Sequence, residues 1–243
     1  MKLFQKNIAV LFFWISMGQS QVNTEAMRNE NLLPGIKNSL EIDFAYISGA
    51  KEIINLNGSY RADFVSKTDW YGFFIWKYDR AFEKSQEDFT RKGFGHLRLA
   101  KPMNSLLNIE GFTQKEFNYF LDLVNRELLG MGIRAMPKNQ LYLGAGIMSE
   151  TEKYQGIESQ NFFKSTNYLN YSQNIFELLN LQNILYYQFK IKYPLAYRIL
   201  WDGKISIQGL KNISFHINIH YRYDKESENP NYFEFSNGLG FQF

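Results

Sequence analysis

The chain has no cysteine, and beyond residue 20 it has no apolar run long enough to cross a bilayer as a helix. Without cysteine, neither a disulfide framework nor a lipoprotein anchor is expected. The formal net charge is only +3, with basic and acidic residues interspersed. Nothing in this balance indicates a nucleic-acid partner. Aromatic residues, in contrast, are abundant at 17% of the chain.

The first twenty residues have the pattern of a secretory signal peptide. Lys2 and Lys6 form a short basic region, residues 8–17 are apolar, and small residues at 18 and 20 suit cleavage before Gln21. The apolar run of about ten residues is too short to span a bilayer, which needs about 20. An uncleaved anchor or a buried core segment is the alternative. We therefore predict that the mature chain is exported.

From about residue 37 onward, apolar or aromatic residues alternate with polar ones. The alternation is clearest in residues 213–223, where Ile213, Phe215 and Ile217 alternate with Ser214 and His216. A period of two places the two sets on opposite faces of a strand. The predicted strands are 38–48, 53–65, 70–82, 89–101, 106–117, 123–136, 141–152, 162–176, 181–191, 196–208, 213–223 and 231–243.

The connections between these strands alternate in length along the chain. Short polar connections at 66–69, 102–105, 137–140, 177–180 and 210–212 alternate with longer ones at 83–88, 118–122, 153–161, 192–195 and 224–230. Short turns on one rim, longer loops on the other and an even strand number are typical of bacterial outer-membrane barrels. We predict an all-β fold, a transmembrane antiparallel up-and-down β-barrel of about twelve strands. A soluble β-sandwich or lipocalin-like fold is the alternative.

The domain organisation follows from these patterns. Residues 1–20 are predicted as the signal peptide, 21–36 as a periplasmic lead-in, and 37–243 as the barrel. In the last stretch, Phe233, Phe235, Phe241 and Phe243 share one parity. Backbone groups in lipid must be paired, so this strand should pair with the first and remove both edges. We predict that Phe241 and Phe243 form the C-terminal assembly signal, that the barrel-assembly machinery inserts the chain, and that outer-membrane lipid surrounds it.

Charged residues of both signs recur on the predicted inner face in nearly equal numbers. A selective pore usually has an excess of one sign at its constriction, whereas balanced Arg and carboxylate sets favour paired, space-filling networks. A polar wall that merely satisfies a wet interior is the simpler alternative. The predicted lumen network, centred on strands 5 to 7, comprises Glu110, Arg126, Arg134, Glu150, Arg98, Arg198, Lys204 and Arg222.

Four glycines lie on the same predicted inner face, on two neighbouring strands: Gly130, Gly132, Gly144 and Gly146. No helix follows them, so they do not indicate a phosphate-binding loop. We expect them to leave room for large side chains from across the lumen.

Only three histidines are available for metal binding or catalysis: His96, His216 and His220. The last two share one strand face about 13 Å apart at the rise of a strand, too far to bind one metal together. Ser214 lies on that face beside His216, which is a slight indication of a nucleophile and its base. We predict no catalytic residue, no metal and no cofactor.

Three stretches in strands 5 to 7 carry a resemblance to a known family. They are 110–114 (EGFTQ), 126–134 (RELLGMGIR) and 143–150 (LGAGIMSE), with Tyr197-Arg198 as a later match. They resemble the salt-induced outer-membrane proteins, a domain family of unknown function. The similarity covers most of the mature chain, although Ala196 stands where the family pattern would have Asp. The resemblance implies an outer-membrane barrel and brings no established activity or catalytic residues.

These observations predict a protein of the Gram-negative outer membrane. Its predicted role is a narrow or near-closed channel, or a structural or accessory component of that membrane. The alternatives are a barrel enzyme acting on lipid or lipopolysaccharide, and a module whose loops bind a partner. The solute or protein partner stays open.

Overall fold

The computed structural model describes residues 24–25, 27–29, 32–48, 52–83, 88–175, 178–210, 213–226 and 230–241. The described chain is all-β, with one short 3-10 turn at Tyr119–Leu121. Its strands are β1 Gly35–Ser48, β2 Glu52–Val65, β3 Tyr71–Glu83, β4 Asp88–Pro102, β5 Leu107–Asn118, β6 Leu123–Lys138, β7 Leu141–Tyr154, β8 Gln160–Ile175, β9 Leu179–Lys190, β10 Tyr193–Leu210, β11 Ile213–Asp224 and β12 Asn231–Phe241. In these ranges there is no helix with the length and apolar character to cross a membrane. The predicted signal peptide lies outside the described residues.

Every strand pairs antiparallel with the next one along the chain, so the order in the sheet is β1 to β12. This confirms the predicted all-β, up-and-down class and the count of twelve strands. The predicted strands coincide with the observed ones, and the differences are confined to their ends. The first strand, for example, begins at Gly35 rather than at 38.

The predicted pairing of the last strand with the first is not present among the described residues. There β12 pairs with β11, and β1 pairs with β2. Both faces of β1 are exposed, because Ile42 and Phe44 on one face and Glu41 and Asp43 on the other are all open to solvent. Closure would require the two edge backbones to approach to about 4.8 Å. The curvature of the sheet does not bring them that close, so its edges are β1 and β12.

The two faces of the central strands differ sharply in exposure. On β6, Leu129, Met131 and Ile133 are 67%, 61% and 51% exposed, whereas Arg126 and Arg134 are 1% and 6% exposed. Successive side chains of a strand point to opposite faces, so the apolar set lies outside the curve and the charged set inside it. The predicted alternation therefore places its polar residues in the interior of the curved sheet.

The connections form two rims. At the turn rim the chain passes from β2 to β3, β4 to β5, β6 to β7, β8 to β9 and β10 to β11, and at the loop rim it passes from β1 to β2, β3 to β4, β5 to β6, β7 to β8, β9 to β10 and β11 to β12. The rims differ less than predicted, because strands extend into the predicted loops. Residues 192–195 were expected to be a longer loop, for example, but β10 already begins at Tyr193.

Candidate functional site

Six of the eight residues predicted for the lumen network are buried in the interior: Arg98, Glu110, Arg126, Arg134, Glu150 and Arg198. The two others lie near the open side of the sheet. Lys204 on β10 is exposed. Arg222 on β11 is half-buried, with its guanidinium 6.0 Å from the ring centre of Tyr232.

One network was predicted, but the buried charges form two clusters. The loop-rim cluster lies nearer the loop rim and consists of Glu116, Arg126, Glu150, Glu152, Lys164, Arg198 and Asp224. The turn-rim cluster lies nearer the turn rim and consists of Glu25, Arg28, Arg61, Asp63, Arg98, Glu110 and Arg134. Arg134 and Glu150, expected to be members of the same network, belong to different clusters.

Arg126 is the centre of the loop-rim cluster, and the strand register explains its partners. On β5 and β7, Glu116 and Glu152 lie directly opposite Arg126, where cross-strand side chains approach most closely. The Arg126 guanidinium is 2.5 Å from a carboxylate oxygen of each. It also lies 3.3 Å from Glu150. One planar, five-donor cation thus holds three carboxylates together.

The remaining members bind this centre to the next strands. Lys164 on β8 lies 2.7 Å from Glu150, and Arg198 on β10 lies 2.6 Å from Asp224, its register partner on β11. Arg198 is also 3.7 Å from both Glu150 and Glu152 on β7. Because β7 and β10 are not neighbours in the sheet, these contacts reach across its concave side. The cluster therefore narrows the interior as well as lining it.

The turn-rim cluster surrounds a segment that is not part of the sheet. We call Thr24, Glu25 and Met27–Asn29 the inner segment. The carboxylate of Glu25 lies 3.0 Å from Arg134, 3.2 Å from Arg98 and 3.3 Å from Arg28. Asn170 donates an amide hydrogen bond to the same carboxylate at 3.4 Å. Four different sources of positive charge or N–H therefore converge on one buried side chain.

The rest of the inner segment is held along its length. Arg98 donates to the Thr24 hydroxyl at 2.7 Å, and Arg28 pairs with Glu110 at 2.5 Å. The Asn29 amide donates to Asp63 at 3.1 Å. Residues 21–36 were predicted as a periplasmic lead-in. The structure places the described part of 24–29 inside the curve of the sheet, among β2, β4, β5, β6, β8 and β9.

The environment of Glu25 favours its charged form. Burial alone would raise the pKa of this carboxyl, but the guanidinium groups of Arg28, Arg134 and Arg98, together with the Asn170 amide, hold the pKa below its ordinary value. Glu25 therefore remains an anion at neutral pH although its side chain is fully buried.

A mixed layer of apolar and neutral polar side chains separates the two clusters. Leu128, Met148 and Leu200 are 4%, 2% and 1% exposed and point inward from β6, β7 and β10. They line a cavity of about 40 Å³ whose other wall includes Thr24 and Tyr186. A cavity of this size has room for a few water molecules, since each needs roughly 10–15 Å³ on this measure.

Two of the four predicted glycines make room for large side chains, which come from neighbouring strands and not from across the lumen. The ring of Phe112 occupies the space beside Gly130, and the ring of Tyr168 occupies the space beside Gly144. Gly132 and Gly146 face each other across the β6–β7 pair, where a Cβ on either would meet the opposing backbone. Aromatic packing and close backbone approach thus explain glycine at these positions.

Of the three histidines, His96 lies on β4, whereas His216 and His220 lie on β11. His96 stacks against Phe94 and Phe112, with ring centres 6.2 Å and 6.1 Å apart. His216 contacts Ser214 at 2.8 Å through Nε2 and a second hydroxyl, that of Ser206, at 2.9 Å through Nδ1. A nucleophile–base–carboxylate triad would place a carboxylate at the second nitrogen. In the described part of the chain, no three acidic or His residues are grouped so as to hold a metal ion.

Sequence reasoning missed several members of the two clusters: Glu25, Arg28, Glu116, Glu152, Lys164 and Asp224. Glu116 and Glu152 lie within the predicted strands and share the parity of their inward-facing residues, and Asp224 lies one residue beyond its predicted strand, so the period-2 alternation could have found all three. Glu25 and Arg28 have no such signal, because they lie outside any periodic segment. The predicted assembly signal is not described, since Phe243 and the side chain of Phe241 lie outside the described part.

Comparison with known proteins gives similarity at the level of solved structures. No family model and no curated protein sequence matches the chain, so membership of the salt-induced outer-membrane family stays a prediction. The KdgM porin is similar at 13% identity and a TM-score of 0.43, covering 83% of this chain and 98% of the porin. The NanC porin is similar at 11% identity and a TM-score of 0.49, covering 84% and 100%. At these values the likeness carries no weight for what the chain does.

Proposed function

We propose that the chain is a β-barrel protein of the Gram-negative outer membrane that forms a narrow channel, closed in this conformation. The contrast between the two faces of the sheet supports the location. An outward row of exposed Leu, Met and Ile would be costly in water but matches the apolar band of a transmembrane barrel. Outer-membrane lipid is then the partner of that face.

The arrangement of buried charge supports a narrow channel. Arg, Lys and carboxylate side chains from β4 to β11 are paired in the interior. So many charged groups would destabilise the core of a soluble protein, because burying charge is costly. Because both signs are present at each level, we do not expect strong ion selectivity. The bridging contacts of Arg198 and the position of the inner segment narrow the interior at two levels.

The lipid-facing assignment is tested by placing a charge on the outer face. Met131→Arg on β6 should impair insertion, because Arg near the bilayer midplane costs about 2–4 kcal/mol. Insertion is measured in liposomes by the heat-dependent shift in electrophoretic mobility that folded barrels show. The control is Lys115→Arg, also on an exposed face but already charged. Equal insertion of both variants would contradict the outer-membrane assignment.

The channel itself is tested by conductance. Purified protein in planar bilayers should give small, infrequent current steps. A preparation that inserts and shifts in mobility but never conducts, in the parent or in variants that disrupt either cluster, would contradict the channel. A structural or accessory role in the membrane would then be the better conclusion.

A further inference from the structure

The inner segment is seated in the sheet in the way a bound peptide is. Its own backbone hydrogen bonds run within it, from Met27 N–H to the Thr24 carbonyl and from Arg28 N–H to the Glu25 carbonyl. Its contacts with the sheet are made by side chains of the sheet. Tyr186 accepts from the Glu25 N–H at 3.2 Å, and Arg61 donates to the Met27 carbonyl at 2.6 Å.

This mode of attachment has a physical consequence. A strand cannot leave a sheet without breaking a ladder of backbone hydrogen bonds, but the inner segment is joined to the sheet by side chains and by the chain leading to β1. Its withdrawal would expose charged groups that water can solvate, namely Arg98, Arg134 and Glu110. The apolar contact it would lose is that of Met27, which packs against Phe73, Ile75 and Phe94.

Glu25 is the strongest point of attachment. Its carboxylate lies 3.2 Å from Arg98 and 3.0 Å from Arg134, and its side chain is fully buried between them. Hydrogen bonds between charged groups are roughly twice as strong as neutral ones. The other polar contacts of the segment with the sheet, such as those at Glu110, Asp63 and Tyr71, each join it to a single side chain of the sheet.

We propose that the interior face formed by Arg98, Arg134, Asn170 and Tyr186 is a peptide-binding site, and that the inner segment of this same chain is its occupant, a releasable plug anchored by Glu25. The plug closes the turn-rim half of the lumen. Its effect on current rests on the proposed channel function, whereas its seating does not.

The seating is measured by the accessibility of one thiol. The chain has no native cysteine, so Met27→Cys in the full-length protein gives a single site for a maleimide. While the plug is seated, this thiol packs against the apolar cluster and should label slowly. Adding Glu25→Gln should raise the labelling rate by at least about tenfold, a factor that corresponds to about 1.4 kcal/mol of lost seating.

The matched control is Glu127→Gln, which makes the same chemical change at an exposed carboxylate paired with Lys115. It should leave the labelling rate unchanged. Glu25→Asp keeps the charge with a shorter side chain and should label at an intermediate rate. A free peptide with the sequence of residues 21–32, which contains no cysteine, should compete for the site and accelerate labelling. The same peptide with Gln at position 25 should compete at least about tenfold less well.

The outcomes separate the two proposals. Slow labelling that Glu25→Gln does not change overturns the role of Glu25 as the anchor, and fast labelling in the parent overturns the seated plug. Faster labelling in Glu25→Gln without any gain in current supports the releasable segment and contradicts the channel. Faster labelling with larger current supports both.

Discussion

The two charge clusters use the same chemistry but are held by different parts of the chain. In the loop-rim cluster every member belongs to a strand, and Arg126 faces Glu116 and Glu152 directly across the ladder. In the turn-rim cluster the central carboxylate, Glu25, comes from a segment outside the sheet. Strand register therefore fixes the first cluster, whereas the second is complete only while the inner segment is in place.

The two clusters also differ in the charges that would remain on the strands if each cluster were opened. The loop-rim cluster has three cations and four carboxylates by its membership, and none can depart without unfolding a strand. Withdrawal of the inner segment takes away one carboxylate, Glu25, and one cation, Arg28. The charge left on the strands is then unchanged in sum, but Arg98 and Arg134 lose the carboxylate between them. The loop-rim half of the lumen is thus a fixed structure, whereas the turn-rim half depends on the inner segment. We therefore call the loop-rim cluster the fixed cluster and the turn-rim cluster the conditional cluster.

Removing the centre of the fixed cluster should have the largest effect. Arg126→Ala leaves Glu116, Glu150 and Glu152 close together without the guanidinium between them. Breaking a buried ion pair in this way costs roughly 3–5 kcal/mol, less where water reaches the charges. The variant should lose its heat-dependent mobility shift at a clearly lower temperature than the parent. The Met27→Cys labelling rate should not change, because the mixed layer separates the clusters.

The control for this prediction is Lys115→Ala, which breaks an exposed ion pair on the outer face. Exposed pairs contribute at most about 1 kcal/mol, so its melting temperature should be close to that of the parent. If Arg126→Ala melts like Lys115→Ala, strand pairing alone holds the loop-rim half together and the cluster is not a structural element.

Arg134→Ala should have a smaller effect on stability and a larger one on the plug. Arg134 also lies over the ring of Tyr142, with its guanidinium carbon 3.6 Å from the ring centre. Its loss leaves Glu25 with Arg28 and Arg98, so we expect about 1–3 kcal/mol of destabilisation. The variant should label faster at Met27→Cys and conduct more than the parent in planar bilayers.

Glu150→Gln is the comparison for Arg134→Ala, because it alters the fixed cluster while keeping side-chain volume and part of the hydrogen bonding. It should affect labelling and conductance less. If both variants melt, label and conduct like the parent, the clusters do not control the lumen.

The fold was predictable from sequence because one physical rule dominates it. Alternation with a period of two is a local property, and it located every strand and the inward side of Arg98, Arg126 and Arg134. Register, which is the set of residues that lie opposite each other on two neighbouring strands, was not predictable, because the alternation is a property of each strand alone. Register alone explains why Arg126 pairs with Glu116 and Glu152 and belongs to a different cluster from Arg134.

The inner segment could not be predicted for a different reason. Residues 21–36 have no hydrophobic period, and a segment without a period reads as a connection. The position of Glu25 depends on cations that β4 and β6 bring together only after the sheet has curved, at Arg98 and Arg134. The aromatic neighbours of the glycines could not be predicted for a related reason. Phe112 and Tyr168 come from neighbouring strands and reach Gly130 and Gly144 only in the folded sheet.

The smallest expected effect concerns pH and applies only to the conditional cluster. The groups that face Glu25 are Arg28 in its own segment, Arg98 on β4, Glu110 beyond Arg28 on β5, Arg134 on β6, Tyr168 and Asn170 on β8 and Tyr186 on β9.

The pKa of Glu25 is held below the ordinary value, chiefly because the three guanidinium groups outweigh the opposing effect of burial. The contribution of Glu25 to seating is therefore fully present above its unfolded pKa of about 4.3 and is lost as the pH falls through the lower folded pKa.

Current through the parent should consequently be flat from neutral pH down to about 4.3 and should rise only below it, as protonation removes the charge that Arg98 and Arg134 hold. Glu25→Gln carries no ionisable group at this position, so its current should already be raised at neutral pH and should show a smaller rise on acidification. The measurement is conductance in planar bilayers from neutral pH to about pH 3. An acid-induced rise of the same size in both proteins would assign the response to other carboxylates, such as those of the loop-rim cluster, and would show that the conditional half of the lumen does not respond through Glu25.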